Sequence, residues 1–226
     1  MSKIRQNLES VRKRIASSAA ACRRDPSSVK LVAVSKTQTA EAIREAFEAG
    51  QRVFGENYAQ ELRDKAASLS NLEIEWHYIG HLQRNKAKYV APVAACVESV
   101  DSLELAEAMS RRAGRRIGCL IEVNIGAEKT KSGVEPSSVE ELARGIASLP
   151  NLELRGLMVI PPFEPDGEKS RPYFRNLREL LAKTNEALAP IRMTDLSMGM
   201  SHDFEVAIEE GATIVRVGTA IFGERQ

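Results

Sequence analysis

The chain has 226 residues, and its 32 lysines and arginines against 31 aspartates and glutamates leave a formal net charge of +1. This length fits one large α/β domain or two small ones, and the balanced charge indicates neither a nucleic-acid partner nor an anionic-membrane partner. The apolar share is ordinary for a globular protein with a sizeable core, and no stretch approaches the length of a membrane span.

The amino-terminal segment predicts an amphipathic helix. Ile4, Leu8, Val11 and Ile15 recur at helical spacing and share one face, which we expect to pack against the rest of the protein. The segment is charged from its first residues and does not have the pattern of a signal peptide.

Short apolar segments then alternate with helical patterns. Runs that stay apolar, instead of alternating with polar residues, are typical of parallel strands covered on both faces. The predicted strands are Leu31–Ser35, Arg52–Phe54, Glu75–Ile79, Cys96–Ser99, Cys119–Asn124, Arg155–Ile160, Thr194–Met198 and Thr213–Val217. The predicted helices are Ala40–Ala49, Ala59–Leu69, Arg84–Val90, Leu103–Ala113, Ser137–Ser148, Pro172–Ala189 and His202–Glu210. Gly50 and Gly211 stand where helices are expected to end.

This strict alternation predicts a TIM (β/α)8 barrel with an extra N-terminal helix. A doubly wound sheet is the alternative, because the pattern alone does not show whether the sheet closes. No repeat and no Pro/Gly/Ser-rich linker divides the sequence, so we expect a single domain over residues 1–226. In either fold, ligands bind at the carboxyl ends of the strands.

Three cysteines, Cys22, Cys96 and Cys119, are widely spaced and form no C-x-x-C motif. An odd number without pairing spacing indicates free thiols in a reducing compartment, most simply the cytosol.

Lys36 directly follows the first predicted strand and therefore lies at the expected binding edge. Lysine is costly to bury, and an amine whose pKa is lowered by its surroundings forms Schiff bases with aldehydes. The alternative is a lysine that reaches solvent from a strand end, and for this segment alone that is the commoner case.

A second set of candidates follows strands seven and eight. Ser201 is predicted to be the N-cap of the helix that begins at His202, and Gly218 lets backbone approach a ligand closely. Thr219 adds a hydroxyl and an N–H. Loops at these positions of a barrel often bind phosphate, so the three residues predict a phosphate site; an ordinary cap and an ordinary turn are the alternative.

Arg216 interrupts the last apolar strand. It shares side-chain parity with Ile214, opposite to Val215 and Val217, and periodicity does not decide which of these faces points into the barrel. An inward arginine needs a partner, whereas an outward one extends to solvent.

Three further segments bear on the binding edge. Asn57 follows the second strand and is able to donate to a ligand oxygen or to cap the next helix. His77 and His81 have H-x-x-x-H spacing, but they do not share a helix and the metalloprotease glutamate is missing, so no metal site is predicted. Residues 161–172 predict a long polar loop over the active face.

Five segments, in order over nearly the whole chain, resemble the signatures of one family. They are Leu31–Thr37, Phe54–Tyr58, Trp76–Gln83, Leu196–Ser201 and Val215–Gly223. The family is the pyridoxal phosphate homeostasis proteins, a single-domain branch of the alanine-racemase-like barrels.

The resemblance implies that Lys36 holds pyridoxal 5′-phosphate (PLP) as a Schiff base and that Arg216 faces the pyridine nitrogen. The other cofactor-binding residues that it implies are Ser201, Gly218 and Thr219 at the phosphate and Asn57 near the ring. Arginine only donates hydrogen bonds, so the ring nitrogen stays unprotonated and the ring is a weaker electron sink.

Racemases similar to this barrel add a tyrosine from a further C-terminal β domain. This sequence ends at Gln226, so we expect that domain to be absent and expect no catalytic residue. The resemblance thus implies a carrier for intracellular PLP homeostasis and, through it, amino-acid balance; a PLP-dependent amino-acid racemase is the alternative. A phosphate-sugar enzyme without covalent chemistry is a third hypothesis, but it leaves Lys36 unexplained.

The expected protein is a cytoplasmic monomer. Its expected partners are PLP and apo-enzymes that receive it, with no nucleic acid and no membrane.

Overall fold

The computed structural model describes residues 2–126 and 132–224, so Gln226 lies outside the described ranges. Eight parallel strands close into a barrel in chain order. They are β1 (Lys30–Val34), β2 (Val53–Glu56), β3 (Glu75–Tyr78), β4 (Cys96–Val100), β5 (Ile117–Glu122), β6 (Leu152–Met158), β7 (Asp195–Ser197) and β8 (Ile214–Val217). The closure confirms the predicted TIM barrel over the doubly wound alternative.

Helices connect and cover the strands. Within the described ranges they are α1 (Lys3–Ala21), α2 (Ala40–Glu48), α3 (Ala59–Ser68), α4 (Ala87–Val90), α5 (Leu103–Ser110), α6 (Val139–Ala147), α7 (Arg171–Ala187), α8 (Phe204–Glu209) and α9 (Thr219–Phe222). The predicted elements all appear with ends displaced by a few residues, and the short α9 was not predicted. Gly50 and Gly211 follow α2 and α8 with φ of +87° and +102°, which confirms the predicted helix ends.

The core has two parts. Inside the barrel, a small apolar cluster joins Val32, Cys96, Leu120, Met158 and Ile214. A larger apolar layer fills the space between the barrel and the helices. Truncating a fully buried residue such as Leu120 to alanine costs about 2–5 kcal/mol in a core of this kind.

Helix α1 confirms the predicted amphipathic segment. Leu8, Val11 and Ile15 are buried on one face, and the helix packs beside α2, α8 and α9. The Ser2 hydroxyl caps it by accepting the N–H of Arg5 at 3.3 Å. Neither α1 nor any other described helix is long and apolar enough to cross a membrane.

Barrel closure brings the two ends of the sequence together. Strand β1 pairs with β8, with Val32 opposite Arg216. Lys36, just beyond β1, therefore lies at the same mouth as the loop that follows β8.

Candidate functional site

A pocket of about 370 Å³ lies at the carboxyl ends of β1 and β8. Of the six residues predicted to bind a ligand, the pocket is lined by Lys36, Ser201, Arg216, Gly218 and Thr219. The other lining residues are Val34, Gln38, Phe163, Met200, His202 and Gly223. A larger groove of about 510 Å³ lies on the outer face of α1, but it contains none of the predicted residues.

Lys36 occupies a tight turn at the end of β1 and is half-buried. The N–H of Ser35 donates to the Gly55 carbonyl at 2.9 Å, and the Ser35 carbonyl accepts the N–H of Gln38 at 3.0 Å. The backbone before and after Lys36 is thus hydrogen-bonded, and its side chain starts from a fixed position at the pocket.

Arg216 points into the barrel and is only 3% exposed. The side of β8 that carries Ile214 and Arg216 therefore faces the barrel interior, which periodicity alone did not decide. The Nη1 of Arg216 donates to the Ser197 hydroxyl at 2.5 Å and its Nη2 to the Val159 carbonyl at 2.8 Å. A Glu98 carboxylate oxygen lies 3.9 Å from Nη1. Burial lowers the pKa of Arg216, while the negative charges of Glu98 and Glu122 oppose that shift.

Glu98 supports Arg216 from deeper in the barrel, through the Ser197 hydroxyl, and was not identified from the sequence. One carboxylate oxygen accepts the Ser197 hydroxyl at 2.6 Å, and the other lies 2.5 Å from His77 Nδ1. The available signal was a charged residue inside an apolar strand, at the same side-chain parity as Cys96 in the barrel interior.

The polar contacts continue from His77 to the amino-terminal mouth of the barrel. His77 Nε2 lies 3.0 Å from Glu75 Oε1, and the same oxygen accepts Lys30 Nζ at 2.7 Å. A row of polar side chains therefore crosses the barrel interior and ends at Arg216. His77 is thus part of this row.

The charges along this row shift one another's pKa values. Burial alone lowers the pKa of His77, but its bonds to Glu75 and Glu98 outweigh burial and the net pKa is raised. Burial alone raises the pKa of Glu98, but His77 and Arg216 outweigh it and the net pKa is lowered. The hydrogen bond to His77, aided by Lys30, lowers the pKa of Glu75 to about 2. The row thus favours a cationic His77 between two carboxylates.

The predicted N-cap role of Ser201 is wrong. Helix α8 begins at Phe204, and the residue before it, Asp203, accepts the N–H of Met200 at 2.7 Å through its side chain. The chain makes this turn before the helix starts, so Ser201 is left outside the cap and faces the β8 loop.

Ser201 instead joins the loops after β7 and β8. Its hydroxyl accepts the N–H of Gly218 at 3.3 Å and that of Ala220 at 3.4 Å. A Cβ placed on Gly218 would lie 3.4 Å from Val34, which is ordinary contact. The fold itself therefore tolerates a side chain at this position. Thr219 is exposed at the first turn of α9.

Asn57 lies apart from the other predicted residues. It lines a neighbouring pocket of about 340 Å³ together with Tyr58, Tyr78 and His81. The Tyr78 hydroxyl donates to the Asn57 carbonyl at 2.9 Å and to the His81 carbonyl at 3.2 Å. Asn57 Oδ1 is buried and has no hydrogen-bond partner within the described part of the chain. Its role toward a ligand stays a prediction.

The segment after β6 reaches the pocket. Phe163 lines it, is 73% exposed, and lies with its ring centroid 5.0 Å from that of His202. The predicted loop 161–172 is shorter than expected, because a 3₁₀ turn at Gly167–Ser170 leads directly into α7.

Related sequences show the family to which this barrel belongs. The family described as alanine racemase, N-terminal domain, matches residues 1–226. A pyridoxal phosphate homeostasis protein of Aquifex aeolicus is 46% identical over 224 residues, covering 98% of each chain. One of Pseudomonas aeruginosa is 47% identical over 230 residues, covering 100% of this chain and 97% of the other. The chain belongs to the pyridoxal phosphate homeostasis protein family.

Solved structures agree with this family membership. PipY of Synechococcus elongatus, whose structure is described as having PLP bound, is 40% identical with a TM-score of 0.82, covering 92% of this chain and all of PipY. Alanine racemase from Corynebacterium glutamicum is 18% identical with a TM-score of 0.68, covering 99% of this chain and 61% of the racemase. That second likeness concerns the fold alone. The family resemblance expected from the sequence motifs is confirmed.

Proposed function

We propose that this chain binds PLP in the pocket at the carboxyl ends of β1 and β8 and holds it as a Schiff base on Lys36. It then serves as a carrier in intracellular PLP homeostasis and, through it, amino-acid balance. The observation that carries this proposal is that Lys36, Arg216 and the Ser201–Gly218 contact meet in one pocket although they come from opposite ends of the sequence. The PLP-bound relative PipY supports the choice of ligand.

The side chains of the pocket fit the chemistry of each part of the cofactor. The Lys36 amine suits the aldehyde, and the Arg216 guanidinium, held by Ser197, suits an unprotonated pyridine nitrogen. The hydroxyls of Ser201 and Thr219 suit a phosphate, and Gly218, which has no side chain, lets it approach the backbone closely. We assign Asn57 to the ring side of the site, where its buried Oδ1 is available to a donor.

Two features favour a carrier over a racemase. The bound cofactor supplies an electrophilic aldehyde, but an arginine at its ring nitrogen donates a hydrogen bond without transferring its proton. The nitrogen then stays uncharged, which weakens the ring as an electron sink. In addition, no tyrosine is among the described residues that line the pocket. Tyr78 lines the neighbouring pocket, and burial raises its pKa to about 12, which makes it a poor base near neutral pH.

We further propose that the barrel acts as a single domain and a monomer in the cytoplasm, and that apo-enzymes receive its PLP. The compartment rests on the cysteines, since Cys22, Cys96 and Cys119 are all free thiols and two of them are buried. Burial raises the pKa of the Cys119 thiol to about 12, so this thiol is inert.

The experiment is a spectroscopic titration of the purified protein with PLP. We expect a Schiff-base absorbance band that is absent in the Lys36→Ala variant, with no α-hydrogen exchange of alanine or serine in deuterated water. The absence of the band in the wild-type protein would contradict the proposal. Exchange at enzymatic rates that depends on Lys36 would favour the racemase.

A further inference from the structure

A buried cluster of charged side chains contacts the turn that carries Lys36. The Nζ of Lys65, in α3, donates to Glu56 Oε1 at 2.8 Å and to Glu61 Oε1 at 2.6 Å. Its third hydrogen bond goes to the backbone carbonyl of Ser35 at 2.6 Å. Lys65 is 9% exposed and Glu56 is fully buried, so this is an interior cluster and not a surface salt bridge.

The same cluster holds the backbone on the other side of Lys36. Glu61 Oε1 accepts the N–H of Thr37 at 2.7 Å, and Glu56 Oε1 accepts the Ser35 hydroxyl at 2.6 Å. Ser35 and Thr37 are the chain neighbours of Lys36. Both flanks of the lysine are therefore tied to one set of charges.

Thr37 has a backbone conformation that requires such support. Its φ is +64°, in the left-handed region that β-branched residues avoid. A residue persists there only where its surroundings fix it. The hydrogen bond from its N–H to Glu61 is one such restraint, and it lies next to Lys36 in the chain.

Stability alone does not explain this cluster. Well-packed apolar residues of similar volume stabilise a core as well as a buried ion pair or better. Glu56 illustrates the cost, because its Oε2 has no hydrogen-bond partner among the described residues. Burial also raises the pKa of its carboxyl in spite of Lys65. What the cluster does provide is a set of hydrogen bonds that fix the backbone of Ser35 and Thr37.

We propose that Lys65 and Glu61 are positioning residues, which hold the turn from Ser35 to Thr37 so that the Lys36 amine points into the pocket. The inference rests on the proposed function, in which the neutral amine adds to the aldehyde carbon of PLP and a C=N bond forms with loss of one water. That addition needs the amine at a set distance and direction from the carbonyl carbon, and the turn sets both.

Glu61→Ala tests the inference. The Glu61 side chain is 23% exposed, and its removal leaves Lys65 paired with Glu56. Asp64→Ala is the matched control, because Asp64 lies in the same helix, is exposed, and pairs with Arg63 at the surface. Three quantities are measured: amide hydrogen exchange at Thr37 without ligand, the equilibrium constant for Schiff-base formation with PLP, and the affinity for pyridoxine 5′-phosphate, which carries an alcohol in place of the aldehyde.

We expect Glu61→Ala to speed exchange at Thr37 and to lower the equilibrium constant for Schiff-base formation about tenfold, which corresponds to about 1.4 kcal/mol. Affinity for pyridoxine 5′-phosphate stays unchanged, and Asp64→Ala changes none of the three. Unaltered Schiff-base formation, or equal losses for both ligands, overturns the positioning role. A wild-type protein that forms no Schiff base overturns the proposed function instead, which is a different result.

A double variant, Lys65→Met with Glu56→Gln, is a second test that stays informative if Glu61→Ala fails to fold. It removes both buried charges with little change in volume, so we expect the folded state to be retained. The double variant should show the same selective loss of Schiff-base formation. A folded double variant with wild-type Schiff-base formation contradicts the inference.

Discussion

The hydroxyl of Ser201 accepts the backbone N–H of Gly218 at 3.3 Å and so joins the loop after β7 to the loop after β8. These residues are neighbours at the pocket although each follows a different strand. The contact fixes the part of the pocket that we assign to the phosphate.

Ser201→Ala should therefore weaken binding of PLP about tenfold, because one hydroxyl hydrogen bond to a charged group is lost. Binding of pyridoxal, which lacks the phosphate, should not change. The measurement is a pair of dissociation constants, with the exposed Ser17→Ala in α1 as the control. An equal loss for both ligands would show that the serine acts on the ring or on the fold instead.

Gly218→Ala separates the needs of the fold from those of the ligand. A Cβ at this position would meet Val34 at 3.4 Å, so we expect the melting temperature to stay close to that of the wild type. The added methyl group should hinder close approach of the phosphate and weaken PLP binding. Gly114→Ala, where a Cβ meets nothing within 4 Å, is the control. Normal PLP binding by Gly218→Ala would argue against a phosphate role. A clearly lower melting temperature would instead show that the fold itself requires glycine at this position.

Glu98→Gln tests the support behind Arg216. The substitution keeps the shape of the side chain but removes the charge that faces both His77 and Arg216 in a fully buried site. Because it leaves Arg216 without its nearest carboxylate and His77 with Glu75 alone, the free energy of unfolding should fall by about 3 kcal/mol. Urea unfolding measures this, with the exposed Glu179→Gln as the control. A fall as small as that of the control would mean that the polar row contributes little to stability.

Glu75 gives the protein a predictable response to acid. Its pKa is lowered from 4.5 to about 2 by the hydrogen bond to His77, so the folded state favours its ionised form. The stability it contributes is present above about pH 4.5 and is lost as pH falls toward 2. The melting temperature of Glu75→Gln should thus fall less steeply over that interval than that of the wild type. Identical pH profiles would be evidence against the shift, and Glu73→Gln is the control.

The fold could be predicted because its signal is local and repeated. Each strand, such as Leu31–Ser35, is an apolar run, and glycines such as Gly50 end the helices. The ends of helices and strands were predicted less accurately, because hydrogen bonds between separate segments decide where each element stops. Lys36, Ser201, Gly218 and Thr219 could be placed at one mouth because each lies in the segment that follows the carboxyl end of a predicted strand.

The interior of the barrel could not be predicted in the same way. The inward direction of Arg216 depends on which strand parity faces the axis, and it becomes clear only when Ser197 and Glu98 are seen beside it. The cluster around Lys65 joins α3 to the β1 turn, a contact between separate elements that no sequence spacing encodes. Ser201 was given the wrong role, as N-cap of α8, because that helix begins at Phe204 and not at His202 as its pattern suggests.

The most direct test of this account is borohydride reduction of the protein after it is mixed with PLP, followed by mass analysis of its peptides. We expect the phosphopyridoxyl mass on the peptide that contains Lys36, and its loss in the Lys36→Ala variant. A label on another lysine, or no label at a saturating concentration of PLP, would contradict the assignment of Lys36.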